Sequence, residues 1–280
     1  MAVQSRALDI ERMDGTSAVP QADVVAVEEP LEIQVSWPNA QGAAAKSVSI
    51  TMRTPGHDAE LATGFLFTEG IISSARDIAA VTPVGEPVDD AGLQNIVRVE
   101  LSSGVDPKLD RLQRHFYTTS SCGVCGKASL DALRVSGAAS LAGRRFRIAP
   151  DRLLALADAV RSMQPVFHKT GGLHAAAAFD AAGGVGIVRE DVGRHNATDK
   201  LVGALLASGE IPGEPMGLFV SGRASFELMQ KALVAGIPFL AAVGAPSSLA
   251  VDTAAEYGMT LVGFLRDASF NIYAGSERIG

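Results

Sequence analysis

Residues 217–265 read GLFVSGRASFELMQKALVAGIPFLAAVGAPSSLAVDTAAEYGMTLVGFL, and the pattern in this stretch decides the fold. Short apolar runs at Gly217 to Ser221, Phe239 to Val243 and Thr260 to Leu265 alternate with segments whose apolar residues recur at helical spacing. The first such segment begins at a capping Ser225 and stops at Gly236, and the second runs from Ser247 to Tyr257. Buried strands separated in this way by helices predict an α/β domain with helices on both faces of a sheet, which puts functional loops at strand ends.

The alternation extends towards the N-terminus. Ala197 to Ala207 reads as a helix with Leu201, Val202 and Leu205 inward, and Leu173 to Phe179 and Val185 to Val188 read as strands. Pro150 and Asp151 suit a first helical turn, followed by Leu153, Ala157 and Val160 at helical spacing. Phe270 to Tyr273 is a last short strand, so residues 150–280 form the α/β domain. Ahead of it, residues 24–110 predict a smaller α+β domain. Leu31 to Val35 and Val48 to Met52 alternate apolar with polar around a turn-like Asn39 to Lys46, a hairpin pattern. Asp58 can cap a helix through Phe67 that shares a face between Leu61 and Phe65 and ends at Gly70. A linker rich in Pro, Gly and Asp follows, then a strand from Asn95 to Leu101. Residues 1–23 mix charge, Ser, Gly and Pro without period and read as a mobile tail.

Composition narrows the classes. The 280 residues are 47% hydrophobic and 20% charged, which describes an ordinary globular chain. Lys and Arg total 24 against 31 Asp and Glu, a net charge of −7, which argues against broad electrostatic binding to nucleic acid or acidic lipid. No apolar run reaches membrane-spanning length, and the N-terminus lacks a basic segment followed by an apolar core. Two cysteines cannot build a disulfide framework, so a reducing cytoplasmic setting is expected.

Both cysteines fall in Ser120-Ser121-Cys122-Gly123-Val124-Cys125-Gly126-Lys127, within a connector spanning residues 111–149. Two thiols at this spacing can ligate a metal, close a redox disulfide, or carry sulfur as a persulfide, and each use depends on thiolate character. Gly123 and Gly126 admit close approach of a ligand to the backbone. Lys127, together with the start of a helix read from Ala128 to Leu133, stabilises a thiolate.

Three further groups carry candidate chemistry. Glu190 to Asn196, with Asp199 and Lys200, follows a strand and reads either as a functional loop or as a solvated turn with Asn196 capping the next helix; His195 lies within it. Ser221, Gly222 and Arg223 sit where a strand end meets a helix start, a place that favours anions, and Arg223 suits a phosphate or purine edge. His168, Thr170, Gly171, Gly172 and His174 surround a pair of glycines, although a strand histidine is more often a satisfied core residue. Zinc would need one or two ligands beyond the cysteines, and none pairs closely with them in sequence.

The blocks Glu29 to Leu31, Thr54 to Leu61, Phe65 to Ile72, Ser121 to Lys127, Thr170 to His174, Glu190 to Asn196 with Asp199 and Lys200, Ser221 to Arg223, and Gly263 to Arg266 occur in this order. In that arrangement the chain resembles the formate dehydrogenase accessory proteins, the FdhD sulfurtransferases. The resemblance implies that a cysteine desulfurase hands sulfur to Cys122, with Cys125 assisting its release. The acceptor implied is the molybdenum bis-molybdopterin guanine dinucleotide cofactor of formate dehydrogenase, for which GDP is a mimic. It further implies a homodimer and a large domain similar to the cytidine-deaminase fold, although Ser121 stands where a deaminase pattern carries proline. By the same resemblance Phe264, Leu265, Arg266, Asp267, Ala268 and Ser269 join Ser221, Gly222, Arg223 and His195 as cofactor-binding residues. Phe264 would stack on a base or pterin; read from the residues alone it is a strand-end core side chain. Two rival readings are a zinc-dependent nucleotide or base hydrolase of deaminase-like fold and a thiol-disulfide oxidoreductase.

Overall fold

The computed structural model describes residues 3–39, 42–90, 92–107, 133, 138–211, 215–266 and 268–280. Cys122, Cys125, the helix read from Ala128, and Asp267 therefore lie outside the described residues, although Leu133 itself is helical and buried.

The alternation read between residues 150 and 280 is present as a six-stranded sheet in the order β12-β11-β10-β9-β7-β8. Its strands are β7 (His174–Phe179), β8 (Val185–Asp191), β9 (Gly217–Val220), β10 (Phe239–Ala242), β11 (Thr260–Arg266) and β12 (Ser269–Ala274). The centre is parallel, β9 with β10 with β11, while β7 runs antiparallel to both of its neighbours and β12 closes the other edge antiparallel to β11. Side chains alternate across the sheet because the strand period is two. Ala176, Ala178, Leu218, Val220, Leu240, Ala242 and Leu261 enter one core, and Ala175, Ala177, Phe179, Phe219, Phe239, Ala241 and Val262 enter the other.

Helices cover both faces. On the first lie α4 (Arg194–Ser208), α5 (Phe226–Val234) and α6 (Ser248–Glu256), and on the second α2 (Pro150–Ser162), which buries Leu153, Leu156 and Val160. Pro150 occupies the first turn of α2, as its missing N–H predicts. A short helix, α3 (Pro165–Thr170), lies in the stretch read only as a polar group, and it ends at Gly171 with φ 65°.

The N-terminal unit is a four-stranded sheet, β4-β3-β6-β5, backed by α1 (Asp58–Thr68). The hairpin of β3 (Glu29–Asn39) and β4 (Gly42–Arg53) pairs Leu31 with Thr51, and much of the stretch read as a turn is strand. β6 (Ile96–Leu101) matches expectation, but the presumed linker contains β5 (Ile78–Val84), an edge strand whose Pro83 and small residues hide its pattern. Residues expected to be a mobile tail instead form a hairpin, β1 (Ser5–Asp14) with β2 (Ser17–Ala26). Its side chains are mostly exposed, so no apolar alternation announced it, and Gln4 ties it to the Pro55 carbonyl at 3.0 Å.

The two units share one core. α1 crosses α4 so closely that a Cβ on Gly64 would lie 1.8 Å from the Asp199 carbonyl oxygen, and one on Gly203 would lie 2.0 Å from that of Glu60. Leu31, Ile33, Val35, Val97 and Val99 of the small sheet join Leu61, Leu66, Leu201 and Leu205 in a single apolar cluster. Asp58 does not cap α1: the N-cap position is His57 at φ 59°, and Asp58 accepts two bonds from the buried Arg53 guanidinium, each 3.0 Å.

Candidate functional site

The Glu190 to Lys200 cluster is mostly interior scaffolding, not a solvated turn. Lys200 and Asp191 are fully buried and paired at 2.7 Å, and Lys200 also donates to the Thr54 carbonyl at 2.8 Å. Asn196 does not cap its helix, whose N-cap is Gly193. It is buried inside the first turn, accepting from Thr51 and donating to the Met52 carbonyl at 2.7 Å. Glu190 receives the backbone N–H groups of Val166 and Phe167 and so holds the start of α3. Deeper in the interface, the Asp199 carboxylate takes Lys231 at 2.9 and 3.0 Å and Thr68 at 2.9 Å. Burial alone would lower the Lys231 ammonium, but the charges of Asp199 and Glu69 outweigh it and push the group up.

What remains accessible lies along one edge of the six-stranded sheet. β8, β9, β10 and β11 all point their carboxyl ends there, and α4, α5 and α6 all begin there, so three helix N-termini with their orphan N–H groups converge. The loop after β9 runs beside the loop after β10. Gly244 donates to the Gly222 carbonyl at 2.9 Å, Ser247 to that of Ala224 at 2.9 Å, and a Cβ on Gly244 would stand 3.0 Å from Arg223. That close approach requires glycine and brings Arg223, which is exposed, to the loop surface. The Ser221 hydroxyl accepts the Ala175 N–H at 2.8 Å, so it fastens the β7–β9 pair.

At β11 the register with β12 breaks between Gly263 and Arg266, and Phe264 sits in the break with φ 53° and 37% of its surface exposed. A left-handed phenylalanine costs about 1–2 kcal/mol relative to a relaxed backbone. The strand-end core reading of Phe264 is thus corrected: the bulge turns the ring outward, while Phe264 N–H bonds the Gly244 carbonyl at 3.1 Å. Leu265, by contrast, is fully buried in the second core, so its side chain packs and only its backbone can meet a ligand. Arg266, Ala268 and Ser269 are exposed at the β11–β12 turn.

His195, on the first turn of α4, reaches Ser225 Oγ at 3.2 Å and Glu227 Oε2 at 3.7 Å. Ser225 holds the N-cap position of α5 without the expected side-chain bond. The neighbouring His195 imidazole holds the pKa of the Glu227 carboxyl at about 2, well below its ordinary value. Two residues from the candidate groups that were not assigned to cofactor binding complete the edge. His174 lies against Gly222, and burial, followed by the charges of Arg194 and His195, pushes its imidazole down and keeps it neutral. Arg194 also lines Gly222, and its Nε is buried with no hydrogen-bond partner among the described residues. Glycine beside basic residues after a strand was the available signal, but only pairing across β7, β8 and β9 brings them together. Among the described residues no group of three His, Cys, Asp or Glu side chains is placed to hold a metal. Chemically, the edge offers cationic donors, helix N-termini and an outward aromatic ring, a set suited to an anion attached to a planar base.

A family model described as the FdhD/NarQ family matches residues 26–280. The sulfur carrier protein FdhD of Streptomyces coelicolor is 52% identical over 259 residues, covering 92% of this chain and 89% of the relative. That of Mycolicibacterium paratuberculosis is 51% identical over 273 residues, 97% of each chain. In fold, the chain is similar to the crystal structure of a Desulfotalea psychrophila protein assigned as a formate dehydrogenase accessory protein. The TM-score is 0.72 at 21% identity, over 99% of this chain and 100% of that one.

Proposed function

This chain belongs to the FdhD/NarQ family of sulfur carrier proteins, and we propose that it takes sulfur from a cysteine desulfurase as a persulfide on Cys122 and delivers it to the molybdenum bis-molybdopterin guanine dinucleotide cofactor. The Cys122 thiolate attacks the outer sulfur of the donor persulfide, an S–S bond forms on Cys122 as the donor's breaks, and the donor thiolate leaves. Cys125 then attacks the inner sulfur. The products are a Cys122–Cys125 disulfide and a sulfide for the metal, and a thiol reductant resets the pair.

The cofactor is here a substrate, and the observation that carries its placement is the sheet edge: Phe264 held outward in a left-handed conformation beside Arg223 and three helix N-termini. The Arg194 Nε at Gly222, buried with no hydrogen-bond partner among the described residues, fits an anionic group there. Arg223 and the α5 N-terminus would hold a phosphate, and Phe264 would stack on a guanine or pterin plane. On this reading the three layers correspond to a deaminase-like domain, residues 24–110 form the smaller domain docked upon it, and the chain acts as a cytoplasmic homodimer serving formate dehydrogenase.

Intact mass after incubation with a desulfurase and cysteine tests the sulfur step. The expected result is a gain of one sulfur that dithiothreitol removes, lost in Cys122→Ala and kept in Cys125→Ala; the reverse pattern overturns the assigned roles. Calorimetric titration tests the edge, with GDP expected to bind more tightly than ADP and equal affinities counting against a guanine site.

A further inference from the structure

The loop after β9 carries positive charge that its surroundings leave unanswered. Among the described residues no carboxylate pairs with Arg194 or Arg223. The acidic groups of the cluster are engaged elsewhere: Asp191 holds Lys200 at 2.7 Å and accepts from the Thr54 N–H and from Asn196, each at 3.1 Å, while Glu227 faces His195 at 3.7 Å. Gly222 precedes Arg223 and leaves a gap. A Cβ there would stand 3.3 Å from Nδ1 and Cε1 of His174 and 3.6 Å from Cδ of Arg194, so an imidazole and an arginine stem wall the space that glycine leaves open. The half-buried His174 side chain has no hydrogen-bond partner among the described residues, and neither has the buried Arg194 Nε. Unpaired polar groups converging on an open space, with every nearby carboxylate engaged, suit an anion with several oxygens.

We propose that a phosphate of the ligand's diphosphate seats at Gly222 against Arg194 and His174, and that His174 takes up one proton from solvent as the anion arrives. That the ligand is a nucleoside diphosphate rests on the function proposed above. The charged groups around the imidazole are Arg194 and His195 from α4, Asp191 from β8 with Lys200 upon it, and Arg223 on the loop after β9, while Glu227 of α5 meets His195. In the free protein burial, then the Arg194 and His195 charges, push the imidazole down, and the Asp191 charge opposes them. A phosphate at Gly222 reverses the sign of the field at the ring. The protonated form, disfavoured in the free protein, then becomes the better partner, because its N–H makes a charge-assisted bond. Binding that favours the protonated form strengthens as pH falls. The gain levels off once His174 is charged in the free protein and vanishes where it is neutral even in the complex.

The experiment is calorimetric titration of the full chain with GDP-glucose and with ADP-glucose, whose diphosphates are esterified at both ends and keep their charge between about pH 5 and 8, where histidine titrates. Buffers of different ionisation enthalpy report the protons taken up. Wild type is expected to take up close to one proton per GDP-glucose bound in the middle of that range, with affinity rising by up to about tenfold per pH unit as pH falls. His174→Gln and His174→Asn should abolish the uptake and flatten the profile, losing most affinity at the acid end, and melting temperatures taken alongside check that both fold. His195→Gln should retain the uptake. GDP-glucose binding without proton uptake in wild type, or with uptake that survives in His174→Gln, overturns the proposal and leaves the guanine site standing. Proton-linked binding of ADP-glucose as tight as that of GDP-glucose supports the proposal and removes the guanine preference from the proposed function. Failure of either sugar nucleotide to bind overturns both.

Discussion

Phe264 is the residue at which conformation and chemistry are most clearly separable. At φ 53° the ring faces outward, and the backbone strain is independent of what the ring contacts. Phe264→Gly should therefore be more stable than Phe264→Ala by about 1 kcal/mol, since only glycine is at ease there. Both should lose the same GDP affinity, because both lack the ring. Denaturant titration paired with calorimetry separates the two effects, and equal stability of the two variants would refute the strain. Arg223 yields a second paired measurement. If it holds a phosphate or base edge, Arg223→Ala costs roughly 1.5–3 kcal/mol of GDP affinity. Lysine rescues only partly, for a point charge cannot reproduce a fork. Sulfur loading of Cys122 should be unchanged; retained affinity with lost loading would move Arg223 to the sulfur path or the fold.

Between elements, the crossing of α1 over α4 joins the two halves, and it depends on paired glycines. On an exposed helix Gly→Ala usually stabilises by up to about 1 kcal/mol. Here a Cβ on Gly203 would meet the Glu60 carbonyl at 2.0 Å. The sign should therefore reverse, with Gly203→Ala destabilising by about 1–3 kcal/mol in urea titration as the helices are forced apart. The buried Asp199–Lys231 pair beneath the same crossing makes an independent prediction. Asp199→Asn leaves a buried ammonium with weakened compensation and should cost about 3–5 kcal/mol, whereas Asp199→Leu with Lys231→Met together should be much closer to wild type. Additive losses in that cycle would show that the pair does not act as a unit.

For the molecule as a whole, Glu60 on α1 bonds Arg189 on β8 at 2.7 Å and so ties the small sheet unit to the large one. Burial raises its carboxyl, but hydrogen bonds from Arg189 and His57 outweigh burial and bring it from 4.5 to about 2. A carboxylate depressed in the folded state stabilises it above the unfolded value and loses that contribution as pH falls. Wild type should accordingly lose stability between pH 4.5 and about 2, and Glu60→Gln should lessen that slope in melts recorded across the range. The strand-helix order from residue 150 onwards was legible because buried parallel strands and amphipathic helices write their periods into the chain. The cysteine pair stands out in the sequence by residue type and spacing alone, and it lies outside the described residues. β5 and the β1–β2 hairpin were not legible, because their exposed, mixed side chains carry no period and their partners supply the pattern. The same limit applied to the polar cluster after β8. By itself the sequence determined which residues are charged and which segments alternate. Only the tertiary structure decided that Asp191, Lys200 and Asn196 are scaffolding and that Arg194, His174, Arg223 and Phe264 share one edge, because burial and proximity arise from strand pairing and helix crossing between distant segments.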